Sequence, residues 1–165
     1  MKRFLLGVVR SRHVWGLYFV NLVFQKILRI TSQKVLALHF SNVISADAGF
    51  ELFGEGQFAE QCLRINGGIL IQASNGVKMH RSVLIGPGIK IVSGNHDLND
   101  FSKPCPLEDG IVLERDCWIG SNSVILPNVH LLPGTIVGAG SVVTKSFGVG
   151  NVVVAGNPAV ILRKK

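Results

Sequence analysis

The chain has 165 residues, of which 47% are hydrophobic, 16% charged and 7% aromatic, with 19 Gly, three Cys and a formal charge of +7. So apolar a composition excludes intrinsic disorder, and three scattered cysteines (Cys62, Cys105, Cys117) with no CxxC pair exclude a disulfide scaffold and argue against a cysteine-based metal site. Residues 1–46 hold seven Lys or Arg and no Asp or Glu, whereas the remainder holds ten of each sign and no basic stripe interleaved with aromatics, so no nucleic-acid partner is expected.

The first segment is basic and apolar. Residues 14–24 read VWGLYFVNLVF, too short for the ~20 residues that span a bilayer. Charge flanks the run on both sides, at Arg12 and Lys26. Arg10 and Arg12 interrupt it and no small-residue cleavage site follows it closely, which argues against a signal peptide. Trp15, Tyr18, Phe19 and Leu22 fall at helical spacings of three to four, and Ile27 and Ile30 stand three apart further on, so a helix is expected. Two readings stay open for residues 1–30. The helix packs on the end of the domain or on another subunit, or it lies on the inner face of a membrane, where Lys and Arg meet anionic lipid.

From Phe53 onward a period of six dominates. Phe53, Ala59, Ile65, Ile71, Val77, Val83 and Ile89 form one unbroken apolar series. Leu113, Ile119, Ile125, Leu131, Val137 and Val143 form a second, with Cys117, Ser123, Val129, Thr135 and Ser141 two positions before its later members. Neither helical periodicity nor strand alternation produces this pattern. A six-residue repeat is the mark of a parallel β-helix, in which short strands stack coil on coil around an aliphatic column. The expected fold is an all-β solenoid over residues 47–163, preceded by a helical segment over 1–46 and interrupted by a loop at 93–110.

The chain resembles the hexapeptide-repeat acyltransferases, over roughly residues 40–163. The sharpest matches are DCWIGSNSVILPNVHLLPGTIVGAGSVVTKS at 116–146 and AGNPAVILRKK at 155–165. The resemblance implies a left-handed β-helix of four to five coils, a homotrimer with active sites between subunits, and acetyl-CoA as donor.

The loop SGNHDLNDFSKPCPLEDG at 93–110 holds the densest polar chemistry of the chain. Insertions of this kind leave the solenoid as surface loops and often carry function. An imidazole titrates near neutral pH and suits proton removal from a hydroxyl or amine. Asn95-His96 followed by Asp100 and Pro104 resembles the family's catalytic loop, which implies His96 as general base. Asp97 or Asp100 would orient it, or a main-chain carbonyl would do the same. His80, His96 and His130 lack the spacing of a zinc site, and no metal is expected. His80 and His130 are expected on the outer surface of the coils.

For the donor, the resemblance places Trp118 and Ser121 at the thioester end and the backbone of Ala139 along the pantetheine. Thr144, Lys145, Asn157, Pro158 and Arg163 would surround the adenine and phosphates. Lys145 and Arg163 offer cations to phosphate, and small residues let an amide-bearing chain approach the backbone. Ser146-Phe147 departs from the acidic and aliphatic pair common in relatives. Transfer would be direct, with a main-chain N–H such as that of Ser121 stabilising the oxyanion. The resemblance is to small bacterial sugar and surface-polysaccharide O-acetyltransferases, implying a sugar hydroxyl as acceptor and a cytoplasmic enzyme, in one reading peripheral to the inner membrane. N-acetylation of an amino sugar and a non-catalytic trimeric module are the alternatives.

Overall fold

The computed structural model describes residues 12–27, 38–97, 99–100, 102–103 and 110–165. The features expected on residues 1–11, 28–37 and 104–109, Cys105 and Pro104 among them, lie outside these. The described part of the first segment is a helix, α1 (Arg12–Leu22), which runs into a π-helical turn (Val23–Ile27). There follow β1 (Val43–Ser45), β2 (Phe50–Phe53), α2 (Phe58–Ile65), β3 (Leu70–Gln72), β4 (Val77–His80), β5 (Leu84–Ile85) and β6 (Lys90–Val92). After the loop come β7 (Ile111–Leu113), β8 (Trp118–Ile119), β9 (Val124–Ile125), β10 (His130–Leu131), β11 (Ile136–Val137), β12 (Val142–Val143), β13 (Val152–Gly156) and β14 (Ala159–Lys164).

The strands form three sheets. Face A stacks β1-β3-β6-β9-β12, face B stacks β2-β4-β7-β10, and face C stacks β5-β8-β11-β13-β14. From β3 to β12 consecutive strands fall on A, B and C in rotation, so the chain winds round a three-sided prism. All pairings are parallel except that of β14, which turns back antiparallel on β13 and ends face C. The second period-six series supplies the core: Leu113, Ile119, Ile125, Leu131, Val137 and Val143 are all buried. The residues two positions ahead, Cys117, Ser123, Val129, Thr135 and Ser141, are buried as well.

Hydroxyls buried at the corners are satisfied locally. Ser123 Oγ donates to the carbonyls of Gly120 (2.7 Å) and Gly138 (3.0 Å), and Thr135 Oγ1 donates to Leu132 O (2.7 Å). A third series of six marks the turns. Asp116, Asn122, Asn128, Gly134 and Gly140 all hold φ between 57° and 72°, the left-handed region that Asn, Asp and Gly tolerate best.

The first series needs correction. Only from Ile71 onward do its members enter the column; Ala59 and Ile65 lie in α2, and Phe53 and Ile65 are only half-buried. FAEQCLRI buries Ala59 and Leu63 on one helical face, so a helical spacing coincides there with the multiple of six. The helix takes the face C place in the first coil: Ala59 N donates to Arg81 O (3.1 Å) and Asn66 Nδ2 donates to Ile85 O. The solenoid also starts earlier than the expected 46/47 boundary, because β1 pairs in register with β3 and turns Ile44 inward. Its composition hides it, since a three-residue strand inside a basic, apolar stretch has no visible period.

Helix α1 packs across this first end. Asn21 is buried; its Nδ2 donates to Arg64 O (3.3 Å) and its Oδ1 accepts from Phe40 N (2.9 Å). The rings of Phe24 and Phe40 stand 5.2 Å apart.

Candidate active site

The inserted loop leaves the edge between faces A and B. Its stem is pinned: Ser93 N donates to Gln72 O (3.0 Å), Gly94 N to Gln72 Oε1 (3.0 Å), and Ser93 Oγ accepts from Asn75 N (3.1 Å). At the far stem Ile111 N donates to Gly76 O (3.0 Å). A Cβ on Gly110 would stand 2.6 Å from Gly76 O, so the returning chain passes too close for any side chain. Between the stems Asn95 and His96 are exposed.

The acidic residues beside His96 bond within the loop. Asp97 Oδ1 accepts from Asn99 N (2.7 Å), while Asp97 N donates to Lys103 O (3.1 Å). Asp100 Oδ1 accepts from Ser102 Oγ (2.6 Å) and Ser102 N (3.1 Å), and its Oδ2 lies 2.9 Å from Lys103 Nζ. The Ser102 hydroxyl, then Lys103 and the Ser102 amide, hold the Asp100 carboxyl below its ordinary value. A carboxyl lowered in this way keeps its bonds above its ordinary pKa and releases them as pH falls through the lowered one. Among the described residues both carboxylates therefore shape the turn after His96, and neither is bonded to the imidazole.

The residues expected at the donor fall into two places. Face C carries one group in a single column of register: Leu84 beside Trp118, Trp118 beside Ile136, Ile136 beside Val153, and Val153 beside Arg163. Trp118 is 52% exposed and looks outward. With strands about 4.8 Å apart, Trp118 and Arg163 stand roughly 14 Å apart along the prism. At the adjoining edge Gly86, Gly120 and Gly138 form one row. A Cβ on Gly120 would come within 2.6 Å of Ala139 N, and one on Gly86 within 2.7 Å of Ser121 N. Gly140 N donates to Ser121 O (2.8 Å), which sets Ser121 and Ala139 on neighbouring coils. Gly156 N donates to Ser141 Oγ (3.2 Å), tying the turn that carries Asn157 and the cis Pro158 to this same edge.

Thr144 and Lys145 lie elsewhere. They follow β12 at the edge between faces A and B, the side from which the His96 loop emerges. Lys145, Ser146, Phe147, Val160 and Ile161 line an open groove of about 320 Å³ at the end of the solenoid. Val160 and Ile161 were missed from the sequence; their signal is the apolar terminal strand β14, on which both stay exposed. Sequence reasoning also missed a histidine–carboxylate pair, His130 Nε2 to Glu114 Oε1 at 3.0 Å, joining neighbouring coils on face B. His80 Nδ1 meets Ser82 Oγ at 2.8 Å, and both histidines are half-buried on outward positions.

Burial pushes the Cys117 thiol up to about 11, so it stays protonated at neutral pH and is no nucleophile. Among the described residues no group of three or more His, Cys, Asp or Glu is placed to hold a metal ion.

The fold and these rows of small residues define a β-helix built from hexapeptides. Residues 110–145 match the bacterial transferase hexapeptide family (six repeats). A protein of Escherichia coli K12 named for O-acetyl transfer in lipopolysaccharide biosynthesis, WbbJ, is 30% identical over 142 residues, covering 78% of this chain and 72% of that protein. The galactoside O-acetyltransferase of Lactococcus lactis is 32% identical over 84 residues, covering 50% of this chain and 40% of that protein. The chain belongs to the hexapeptide-repeat acyltransferase family. It spans about half the length of the first curated relatives it matches, 55%, 47% and 40% of them. Among solved structures, a hexapeptide-repeat acetyltransferase of Vibrio cholerae complexed with acetyl-CoA shares the fold at a TM-score of 0.57 and 22% identity, covering 94% of this chain and 91% of that one.

Proposed function

We propose that the chain is an acetyl-CoA-dependent acetyltransferase of sugar hydroxyls in surface-polysaccharide biosynthesis, a cytoplasmic enzyme that works as a left-handed β-helical homotrimer. The observation that carries this reading is the division of the site. His96 and Lys145 lie along the edge between faces A and B, whereas Trp118, Ser121, Ala139 and Arg163 lie on face C or its edge with A. Along the body of the prism the edge that carries His96 and face C do not meet within one copy; only at the last coil does Lys145 share a groove with Val160 and Ile161 of β14. They meet when the edge of one copy is set against face C of the next, which closes naturally into a ring of three.

In that ring His96 takes the proton from the acceptor hydroxyl as its oxygen attacks the thioester carbonyl carbon. A main-chain N–H at Ser121 stabilises the oxyanion. The C–S bond then breaks, the acetyl group stays on the sugar oxygen, and the imidazolium returns its proton to the departing sulfur. Trp118 packs on the thioester end of the donor and the Ala139 backbone meets its pantetheine. Asn157, Pro158 and Arg163 from one copy, with Thr144 and Lys145 from its neighbour, surround the adenine and phosphates. Asp97 and Asp100 fix the loop, and a main-chain carbonyl orients the imidazole.

A second reading, transfer to an amine, rests on 41% identity over 59 residues to the tetrahydropyridine-dicarboxylate N-acetyltransferase of Staphylococcus aureus. Release of free CoA thiol from acetyl-CoA, measured across a panel of sugars, amino sugars and glycan intermediates, separates the readings. We expect release with a hydroxyl acceptor that has no amine. Release only with amino sugars, and an N-acetylated product, contradicts O-acetylation.

A further inference from the structure

Both ends of the inserted loop are held by one stretch of the preceding coil, Gln72 to Gly76. That stretch is itself fixed: Ala73 N donates to Ser45 O on β1 (3.0 Å), and Gly76 N donates back to Ala73 O (3.0 Å) across the turn. On the entering side the ladder of face A sets Gln72 beside Val92 and runs out at Ser93, whose N–H donates to Gln72 O. Gln72 then reaches one residue further with its side chain, where Oε1 accepts from Gly94 N at 3.0 Å. Gly94 lies against the same turn; a Cβ there would stand 2.3 Å from Ser74 Oγ. His96 follows two residues on and is exposed. The bonds of Asp97 and Asp100 run within the loop, so they shape it without tying it to the solenoid.

We propose that Gln72 is a positioning residue for His96: its amide oxygen carries the ladder past the end of the strand and fixes where the loop sets the imidazole against the acceptor hydroxyl. This role rests on the reading of His96 as general base. A base acts only within hydrogen-bond reach of the proton it takes, and a displacement of about 1 Å is enough to cost a large factor in rate. Gln72 points outward from β3 and is half-buried, so its side chain fills no part of the aliphatic column. Truncating it leaves the backbone bond from Ser93 N to Gln72 O in place and removes the tie to Gly94. A glutamate at the same position keeps an oxygen that accepts from the Gly94 N–H.

The test combines amide hydrogen exchange at Gly94, followed by NMR, with steady-state CoA release, both on the full chain. In Gln72→Ala we expect Gly94 to exchange at least about tenfold faster. We expect kcat to fall by roughly tenfold, with KM for acetyl-CoA within about twofold and Tm within about 2 °C of wild type. Gln72→Glu should restore both the protection of Gly94 and kcat. Unchanged exchange at Gly94 overturns the tie, and a loosened Gly94 with undiminished kcat overturns its part in the reaction. A loss carried by KM for acetyl-CoA instead of kcat, or one that Gln72→Glu does not restore, overturns it as well. Turnover that survives His96→Ala is a different failure: it removes the base and with it the role of Gln72 in transfer, while exchange at Gly94, which involves no reaction, still reports the tie itself.

Discussion

Replacing His96 with Ala lowers kcat for acetyl transfer by roughly 10²- to 10⁴-fold, the usual worth of a general base. Binding of acetyl-CoA is expected to stay within about twofold, because His96 stands on the A/B edge and Trp118, proposed for the thioester end, on face C. Steady-state CoA release gives the first number and equilibrium titration with acetyl-CoA the second. Asp100→Asn is the informative companion. Its carboxylate is engaged with Ser102 and Lys103, so its loss loosens the loop without removing the base, and kcat falls far less than with His96→Ala. Equal losses would make Asp100 the orienting partner. Turnover that survives His96→Ala would remove the base assignment.

The second large effect is on stability. Ile119 is fully buried in β8, between Ile85 and Val137 on adjoining coils. Ile119→Ala deletes methyl groups where coils stacked above and below cannot collapse inward, and the expected cost is about 2–5 kcal/mol. For a chain of this size that lowers Tm by roughly 5–20 °C, measurable by circular dichroism. The outward neighbour Val124 on β9 is the control: Val124→Thr should shift Tm by less than about 2 °C. A solenoid passes strain only to adjacent coils, so the loss at Ile119 also weakens the seat of Trp118 beside it. An Ile119→Ala protein with unchanged Tm would mean that the aliphatic column is not the source of stability.

How far the fold could be read from the sequence depends on which residues lie inside. From Leu113 to Val143 nothing is inserted, each coil face presents one aliphatic residue, and period and burial coincide position by position. Around Ala59 the same period misleads, since α2 buries residues at helical spacing that happen to continue the series. The period-six row of Asp116, Asn122, Asn128, Gly134 and Gly140 was equally available and reports the turns directly. The loop stood out because two prolines and a cluster of charges cannot enter an aliphatic column. His96 was singled out only through resemblance, as an exposed histidine has no signature of its own. The place of Lys145 at the A/B edge was illegible, because it depends on how the chain winds round the last coil. The groove beneath β14 was hidden too, for a terminal strand that reverses direction breaks the repeat that made the rest readable.

Face C is proposed to receive acetyl-CoA, and thermal unfolding in the presence of that ligand is the direct test. At a concentration a hundredfold above Kd, a ligand that binds only the folded chain adds roughly 2.7 kcal/mol, which raises Tm by roughly 5–10 °C for a chain of this length. A rise of that order is expected, one that saturates with acetyl-CoA and shrinks in Arg163→Ala. A folded protein whose Tm does not move in millimolar acetyl-CoA would contradict it, and would leave a β-helix that assembles without transferring anything.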